Sequence, residues 1–295
     1  MEKGGMEIKM KKWQLQDIRI RDPFFLKENG EYYLYGTTDV NTWEGNGEGF
    51  DCYRSKDLKL FQGPYPVFRA PQNFWADRNF WAPEVWKYRG RYYMIASFKA
   101  EGRCRGVQVL ISDDPRGPFV PVTDGPVTPT DWECLDGTLC FEDDGVYMVF
   151  CHEWIQTGDG CICAAKMSGD LTKLTGEPEV LFHASEAEWP VIHREFDSEG
   201  FVTDGPFLFR DENSRLHMIW SSYGEKGYAV GISHAQKGVI GKWNHERNTV
   251  LEKEGGHGMI FEGPEGRTLL VVHTPNTWLK ERVKLYSVEK LILGG

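Results

Sequence analysis

Asp22-Pro23-Phe24-Phe25-Leu26-Lys27-Glu28-Asn29-Gly30-Glu31-Tyr32-Tyr33-Leu34-Tyr35 is two short apolar runs joined at Asn-Gly. That dipeptide supplies the two consecutive positive φ angles of a tight β-hairpin. The design recurs as Ala82-Pro83-Glu84-Val85-Trp86 before Tyr92-Tyr93-Met94-Ile95, and as Asp136-Gly137-Thr138-Leu139-Cys140 before Tyr147-Met148-Val149-Phe150. It returns as Asp204-Gly205-Pro206-Phe207-Leu208 before His217-Met218-Ile219-Trp220, and as His257-Gly258-Met259-Ile260-Phe261 before Leu269-Leu270-Val271-Val272. Five copies spaced 53 to 68 residues apart are the mark of a radial or stacked repeat.

Each hairpin precedes a second strand-rich segment: Phe50–Phe61, Gly106–Val122, Gly160–Leu174, Tyr228–Trp243 and Arg282–Leu293. Two hairpins per repeat make a four-stranded antiparallel sheet, and five such sheets make an all-β, five-bladed β-propeller. A stacked solenoid is the competing arrangement, but its repeats run to about 20–45 residues. No linker or composition shift divides the chain. Residues 1–295 are expected to form one propeller domain, with about 1–14 an extended N-terminal segment or part of the ring closure.

Composition narrows the partners. A formal net charge of -10 argues against nucleic acid. No stretch approaches a membrane span, and the N-terminus lacks the apolar core of a signal peptide. Seven cysteines without zinc-binding spacing read as buried thiols in a reducing compartment, so a cytoplasmic location is expected. The pattern specifies no oligomeric state. Insertions at 38–49, 63–80, 123–135 and 182–203 carry Trp43, Trp75, Trp132 and Trp189, and loops on a rigid scaffold are where binding residues gather.

In a propeller the first strand of each blade lines the central channel. Asp22, Asp136 and Asp204 open three of these strands, at what reads as one equivalent position, so ring closure brings three carboxylates to one mouth. Like charges in close quarters raise at least one pKa, which makes an acid and a base from one residue type. The competing reading of an Asp before Pro or Gly is simple turn chemistry.

These motifs resemble those of the five-bladed propeller enzymes of glycoside hydrolase family 43. Arg21-Asp22-Pro23 with Tyr32-Tyr33-Leu34-Tyr35 is similar to the family's first-blade motif. Trp81-Ala82-Pro83-Glu84-Val85 with Tyr92-Tyr93-Met94 resembles the second, Leu135-Asp136-Gly137 the third and Gly256-His257-Gly258 the fifth. The resemblance runs from about residue 18 to the end. It implies inverting hydrolysis of glycosidic bonds, of the α-L-arabinofuranosidase or β-xylosidase type, with carboxyls roughly 6.5–9.5 Å apart. On this resemblance Asp22 is the general base and Asp136 the carboxylate that tunes and orients the acid. The fourth blade departs from the family: its usual Glu-Gly-Pro, which carries the general acid, is here Asp204-Gly205-Pro206. Asp204 is the first choice of acid and Glu153 the alternative, ahead of Glu84 and Glu199. The resemblance also implies a calcium or other ion in the channel, held by His257 and water; a histidine hydrogen-bonded there without metal is the competing reading.

Phe80, Trp81 and Trp154 are the expected sugar platforms, with Trp43, Trp75 and Trp189 as candidates for the rim and Trp220 as core. Strand alternation turns Arg21 away from Asp22 and gives it a structural role. Two other functions compete. A glycoside phosphorylase needs Arg, Lys or His beside the catalytic carboxylate, and none clusters around these motifs in sequence. A carbohydrate-binding propeller without catalysis has no need of Asp22 and Asp136 together.

Overall fold

The structure is a computed structural model that describes residues 11–195 and 197–288. Five antiparallel sheets are arranged radially. Their innermost strands are Arg21–Glu28, Arg78–Tyr88, Cys134–Glu142, Asp204–Arg210 and Gly256–Glu262. Each packs against the next around the channel, and the fifth packs against the first. This closed circuit excludes the solenoid.

Blades two, three and four have four strands each, and blade five has three among the described residues. Blade one has five, because Lys12–Gln14 pairs with the outer strand Leu60–Arg69. Thus residues 12–14 of the expected N-terminal extension extend the first sheet. Residues 1–10, and the part of the last predicted segment beyond 288, lie outside the described residues. Arg19 makes an antiparallel bridge to Arg282 in blade five's third strand, so the chain begins its first blade alongside the last.

Why these sequences form blades follows from their two-sided burial. A propeller sheet is covered on both faces by its neighbours, so its central strands read as continuous apolar runs rather than alternating ones. Tyr92 to Phe98 and Met148 to Cys151 are buried throughout. Between blades the large rings interdigitate; Phe25 stacks on Phe261 at 4.8 Å across the closure of the ring. The first two inner hairpins turn through paired left-handed residues. Asn29 and Gly30 have φ of 51° and 75°, and Arg89 and Gly90 have 48° and 82°, the paired left-handed geometry of a two-residue hairpin loop.

Candidate active site

Every inner strand breaks register at its start. The slips fall between Arg21 and Phe24, Trp81 and Glu84, Leu135 and Thr138, Asp204 and Phe207, and Gly256 and Met259. Within each bulge one residue is left-handed: Asp22 at φ 52°, Ala82 at 47°, Asp136 at 55°, Gly205 at 50° and His257 at 44°. Non-glycine residues enter this region at a cost, and such strain concentrates at functional sites. The residue that follows is always Pro or Gly. Proline leaves no N–H to satisfy, and a Cβ on Gly258 would lie 1.7 Å from the Val271 carbonyl oxygen.

This register corrects the sequence alignment. Asp22 and Asp136 are equivalent, together with Ala82 and His257, but Asp204 is not their counterpart. Gly205 takes the left-handed position, and Asp204 sits one residue earlier, where Arg21, Trp81, Leu135 and Gly256 stand in the other blades. Asp204 therefore approaches the channel mouth from a different backbone position than the other two aspartates.

The bulges are fastened from blade to blade. The Asp22 N–H points to His273 Nδ1 at 3.2 Å, and Ala82 N–H to Thr37 Oγ1 at 2.8 Å. Asp136 N–H donates to Ser97 Oγ at 2.9 Å, and His257 N–H to Ser221 Oγ at 2.8 Å. Each acceptor lies on the second strand of the preceding blade, paired with the residue that precedes that blade's own bulge. In blade three that place falls to Cys151, opposite Leu135, and thiol sulfur is a weak acceptor. There the Gly205 N–H turns instead to Asp136 Oδ2 at 2.9 Å.

The carboxylates sit in one buried network. Asp22 Oδ2 accepts a 2.6 Å bond from Thr37, and its Oδ1 lies 3.3 Å from His257 Nδ1. The same Nδ1 is 3.5 Å from Asp136 Oδ2. Asp204 Oδ2 accepts from the Tyr228 hydroxyl at 2.9 Å. These surroundings drive the three aspartates apart. Burial pushes Asp22 up, but His257, Arg21 and the Thr37 bond together hold it below its ordinary value. Burial, with Asp22 beside it, pushes Asp136 up to about 8. Burial, with Asp136 beside it, pushes Asp204 up to about 7. One carboxylate is kept ionised and another keeps its proton near neutrality, the division of labour that acid–base chemistry needs. His273 is driven down to about 3 by burial and by Arg21, so it is neutral. With Nδ1 accepting from the Asp22 amide, its proton is on Nε2, facing Asn276 Oδ1 at 3.1 Å.

Above this network opens a cavity of about 460 Å³, lined by Asp22, Asp136, Asp204, Glu153 and His257 among others. Of the expected platforms, Trp81 and Trp154 line it. Phe80 does not. It is 1 % exposed and packs among Phe50, Phe68, Phe74 and Phe98, because the bulge that turns Trp81 to the mouth sends its neighbour into the core between blades. Of the rim tryptophans only Trp43 reaches the cavity. Trp75 bonds Gln108, and Trp189 is buried against the core residue Trp220.

Arg21 is structural, as expected, in bonding Glu281 and Asn276, yet it also lines the cavity. Arg105, unremarked in sequence, converges on it as well, stacked 3.8 Å over Trp81 with its Nε 3.4 Å from Glu153 Oε2. The cationic groups missing from the sequence motifs thus do gather here, each already paired with a carboxylate. Glu84 points to Trp86 Nε1 at 2.9 Å, and Glu199 is spent on Arg194 at the surface. Tyr228, His273, Tyr223 and His193 escaped sequence reading too. The polar residue that recurs toward the end of successive second strands, Thr37, Ser97, Ser221 and His273, was the one signal available for any of them.

His257 Nδ1 is committed to two carboxylates, and no group of three or more His, Cys, Asp or Glu side chains suited to a metal occurs among the described residues. Calcium takes six to eight oxygen ligands. The described side chains do not supply that cage, and one imidazole donor is what they leave for an ion surrounded by water.

Known proteins resemble this chain in sequence and in fold. The family model described as Glycosyl hydrolases family 43 matches residues 16–289. An extracellular exo-α-(1→5)-L-arabinofuranosidase of Cellvibrio japonicus is 22% identical over 89% of this chain and 77% of its own. Xylosidase/arabinosidase 43A of Humicola insolens is 26% identical over 79% of this chain and 71% of its own. The crystal structure of an endo-arabinase from Bacteroides thetaiotaomicron VPI-5482 superimposes with a TM-score of 0.86 at 36% identity, covering 93% of this chain and 95% of the other.

Proposed function

The chain belongs to glycosyl hydrolases family 43, whose members are inverting glycosidases, and from that premise we propose that it hydrolyses arabinose- or xylose-containing oligosaccharides with Asp22 as general base, Asp204 as general acid and Asp136 as the group that sets the acid. The names borne by its relatives support the sugar class. One observation carries the assignment of roles. Asp136 Oδ2 lies 3.5 Å from His257 Nδ1, itself 3.3 Å from Asp22, and 2.9 Å from the amide nitrogen that follows Asp204.

The chemistry follows from that chain of contacts. A terminal sugar lies over the three aspartates. Asp22, ionised, takes a proton from water as the water oxygen bonds to the anomeric carbon from one face. The bond to the leaving oxygen breaks on the other face, and Asp204 delivers its proton to that oxygen. The hydrolysed sugar has inverted configuration, and the two carboxyls exchange protons with solvent before the next turnover. Asp136 contributes twice: two adjacent carboxyls resist being ionised together, which favours a proton on Asp204, and its bond to Gly205 fixes the backbone from which Asp204 projects.

Asp204 is preferred over Glu153 because Glu153 and Arg105 are both buried and face each other. That contact commits Glu153 to a guanidinium in the cavity wall, whereas Asp204 adjoins Asp136 through the Gly205 amide. The reading is tested with nitrophenyl α-L-arabinofuranoside and β-D-xyloside, following the anomer first formed by NMR. Release of the inverted sugar from either supports it. No release from these or from a wider glycan panel removes it.

Two further parts of the reading are proposals of the same kind. A cation in the channel would bind His257 through Nε2 with water completing its shell, and no step above passes through it. All seven cysteines are free and six are buried, which supports a reducing, cytoplasmic setting, unlike the Cellvibrio relative named extracellular.

A further inference from the structure

The wall of the cavity can be followed from side chain to side chain without a break. Trp81 meets Trp43 edge-on at 5.1 Å, and Trp43 lies under the Arg21 guanidinium at 4.9 Å. Arg21 bonds Asn276 at 3.0 Å, and Asn276 Nδ2 is 3.4 Å from the Tyr223 hydroxyl. Tyr223 stacks flat on His193, rings 3.7 Å apart and 7° from parallel, and His193 meets Trp154 at 5.8 Å. Trp154 follows Glu153, which faces Arg105, and Arg105 covers Trp81. The circuit draws on all five blades and the hairpin His193–Glu195/Ser198–Gly200 inserted between blades three and four, and every member of it lines the cavity.

A polymer cut in its middle must enter and leave a site on opposite sides, so an internally cleaving enzyme needs two gaps in its wall. Successive members of this wall stand within 3 to 6 Å of each other, centroid to centroid or atom to atom, so at the level of the circuit the cavity has no lateral gap. The volume, about 460 Å³, lies in the lower half of the 300–1,000 Å³ range of small-ligand pockets. Outward from the wall stand Trp278 and Ile155, both bordering the cavity and 57% and 52% exposed. Large apolar side chains exposed at a pocket mouth mark a binding surface, and an indole suits the apolar face of a sugar ring.

Resting on the glycosidase reading above, we propose that this chain takes its substrate end-on: the chain end enters the cavity with its terminal sugar over the three aspartates, and the departing chain lies across an apolar collar that includes Trp278 and Ile155. The enzyme then removes single sugars from chain ends and does not cut within chains. The fold class is compatible with either mode; the closed circuit selects one.

The test uses α-1,5-linked arabinopentaose and β-1,4-linked xylopentaose, each carrying a fluorophore at the reducing end. The expected result is stepwise appearance of labelled tetramer, then trimer, with free pentose as the sole unlabelled product at early times. Early labelled dimer or trimer without tetramer overturns the inference. Trp278→Ala is expected to lower kcat/KM for the pentamer about two- to tenfold more than for a nitrophenyl glycoside, the range that one lost aromatic contact carries; equal losses overturn the collar. Replacing the hairpin His193–Gly200 by a short Gly-Ser link opens the wall and should bring internal cleavage, and if that variant does not fold the wild-type product order decides alone. Turnover of aryl glycosides with internal cleavage of the pentamers sinks the end-on mode only, whereas no turnover of either class sinks the glycosidase reading with it.

Discussion

The Tyr228 hydroxyl donates to Asp204 Oδ2 at 2.9 Å, and Asp204 is the half-buried carboxyl pushed up to about 7. A hydrogen bond of this kind favours the charged form. It restrains a pKa that burial and Asp136 push upward, and it fixes the orientation of the proton donor.

The pH profile of kcat/KM follows. A general acid works while protonated, so activity falls as pH rises through about 7. A general base works while ionised, and Asp22 lies below its ordinary value, so the acidic limb falls below the usual carboxylate range. Tyr228→Phe removes the restraint on Asp204 and is expected to move the alkaline limb to higher pH, with a lower maximum because the acid is less well oriented. An unmoved or downward-shifted alkaline limb contradicts the assignment.

Asp204→Asn should cost roughly 10²–10⁴-fold with natural oligosaccharides, the range of general acid catalysis, and much less with aryl glycosides whose leaving groups need no proton. Glu153→Gln should slow both substrates alike, since it loosens the wall and donates no proton. If the leaving-group dependence instead appears in Glu153→Gln and is absent in Asp204→Asn, the two carboxylates exchange roles.

Thr37→Val keeps the shape of the side chain and removes two bonds, one accepted from the Ala82 N–H and one donated to Asp22. The amide is left buried and unpaired, so chemical denaturation should register a loss of about 1–3 kcal/mol. Losing the bond that favours ionised Asp22 raises its pKa, so the acidic limb should move to higher pH. A stability loss with a fixed acidic limb would separate the two roles of Thr37.

Dialysis against a chelator tests the channel ion. A cation held by His257 and water predicts a lower Tm after dialysis, restored by calcium, and the absence of this response from His257→Ala. Identical melting with and without chelator removes the ion from the reading.

The blades were legible because burial on both faces writes uninterrupted apolar runs, and Asn-Gly at 29–30 marks its turn without help from the rest of the chain. The phase of the fourth blade was not. Residue type aligns Asp204 with Asp22, but the backbone aligns whichever residue adopts φ near 50°, and there a glycine does so one position later. Phe80 and Trp81 were inseparable for a related reason: alternation predicts side-chain direction only in regular strands, and both lie beside a bulge. Arg105, His193 and Asn276 reach the site from three distant loops or strand ends. Their approach depends on closure of the ring, and no local pattern records that.

The hydrogen bond from Gly205 to Asp136 has a consequence for how this enzyme can change. Elsewhere a hydroxyl or a neutral imidazole with no place in the bond-breaking step fastens one blade to the next. Between blades three and four that duty falls to Asp136, the carboxylate proposed to set the acid, with Cys151 standing where the usual fastener would be. Inactivation and loosening of the propeller are therefore one event at this seam: Asp136→Ala should be both inert and easier to unfold, whereas loss of Asp204 disarms the enzyme and leaves the seam intact. A lineage drifting from catalysis toward mere sugar binding would meet less resistance at Asp204 than at Asp136, and restoring a serine at 151 is the repair that would release Asp136 to vary.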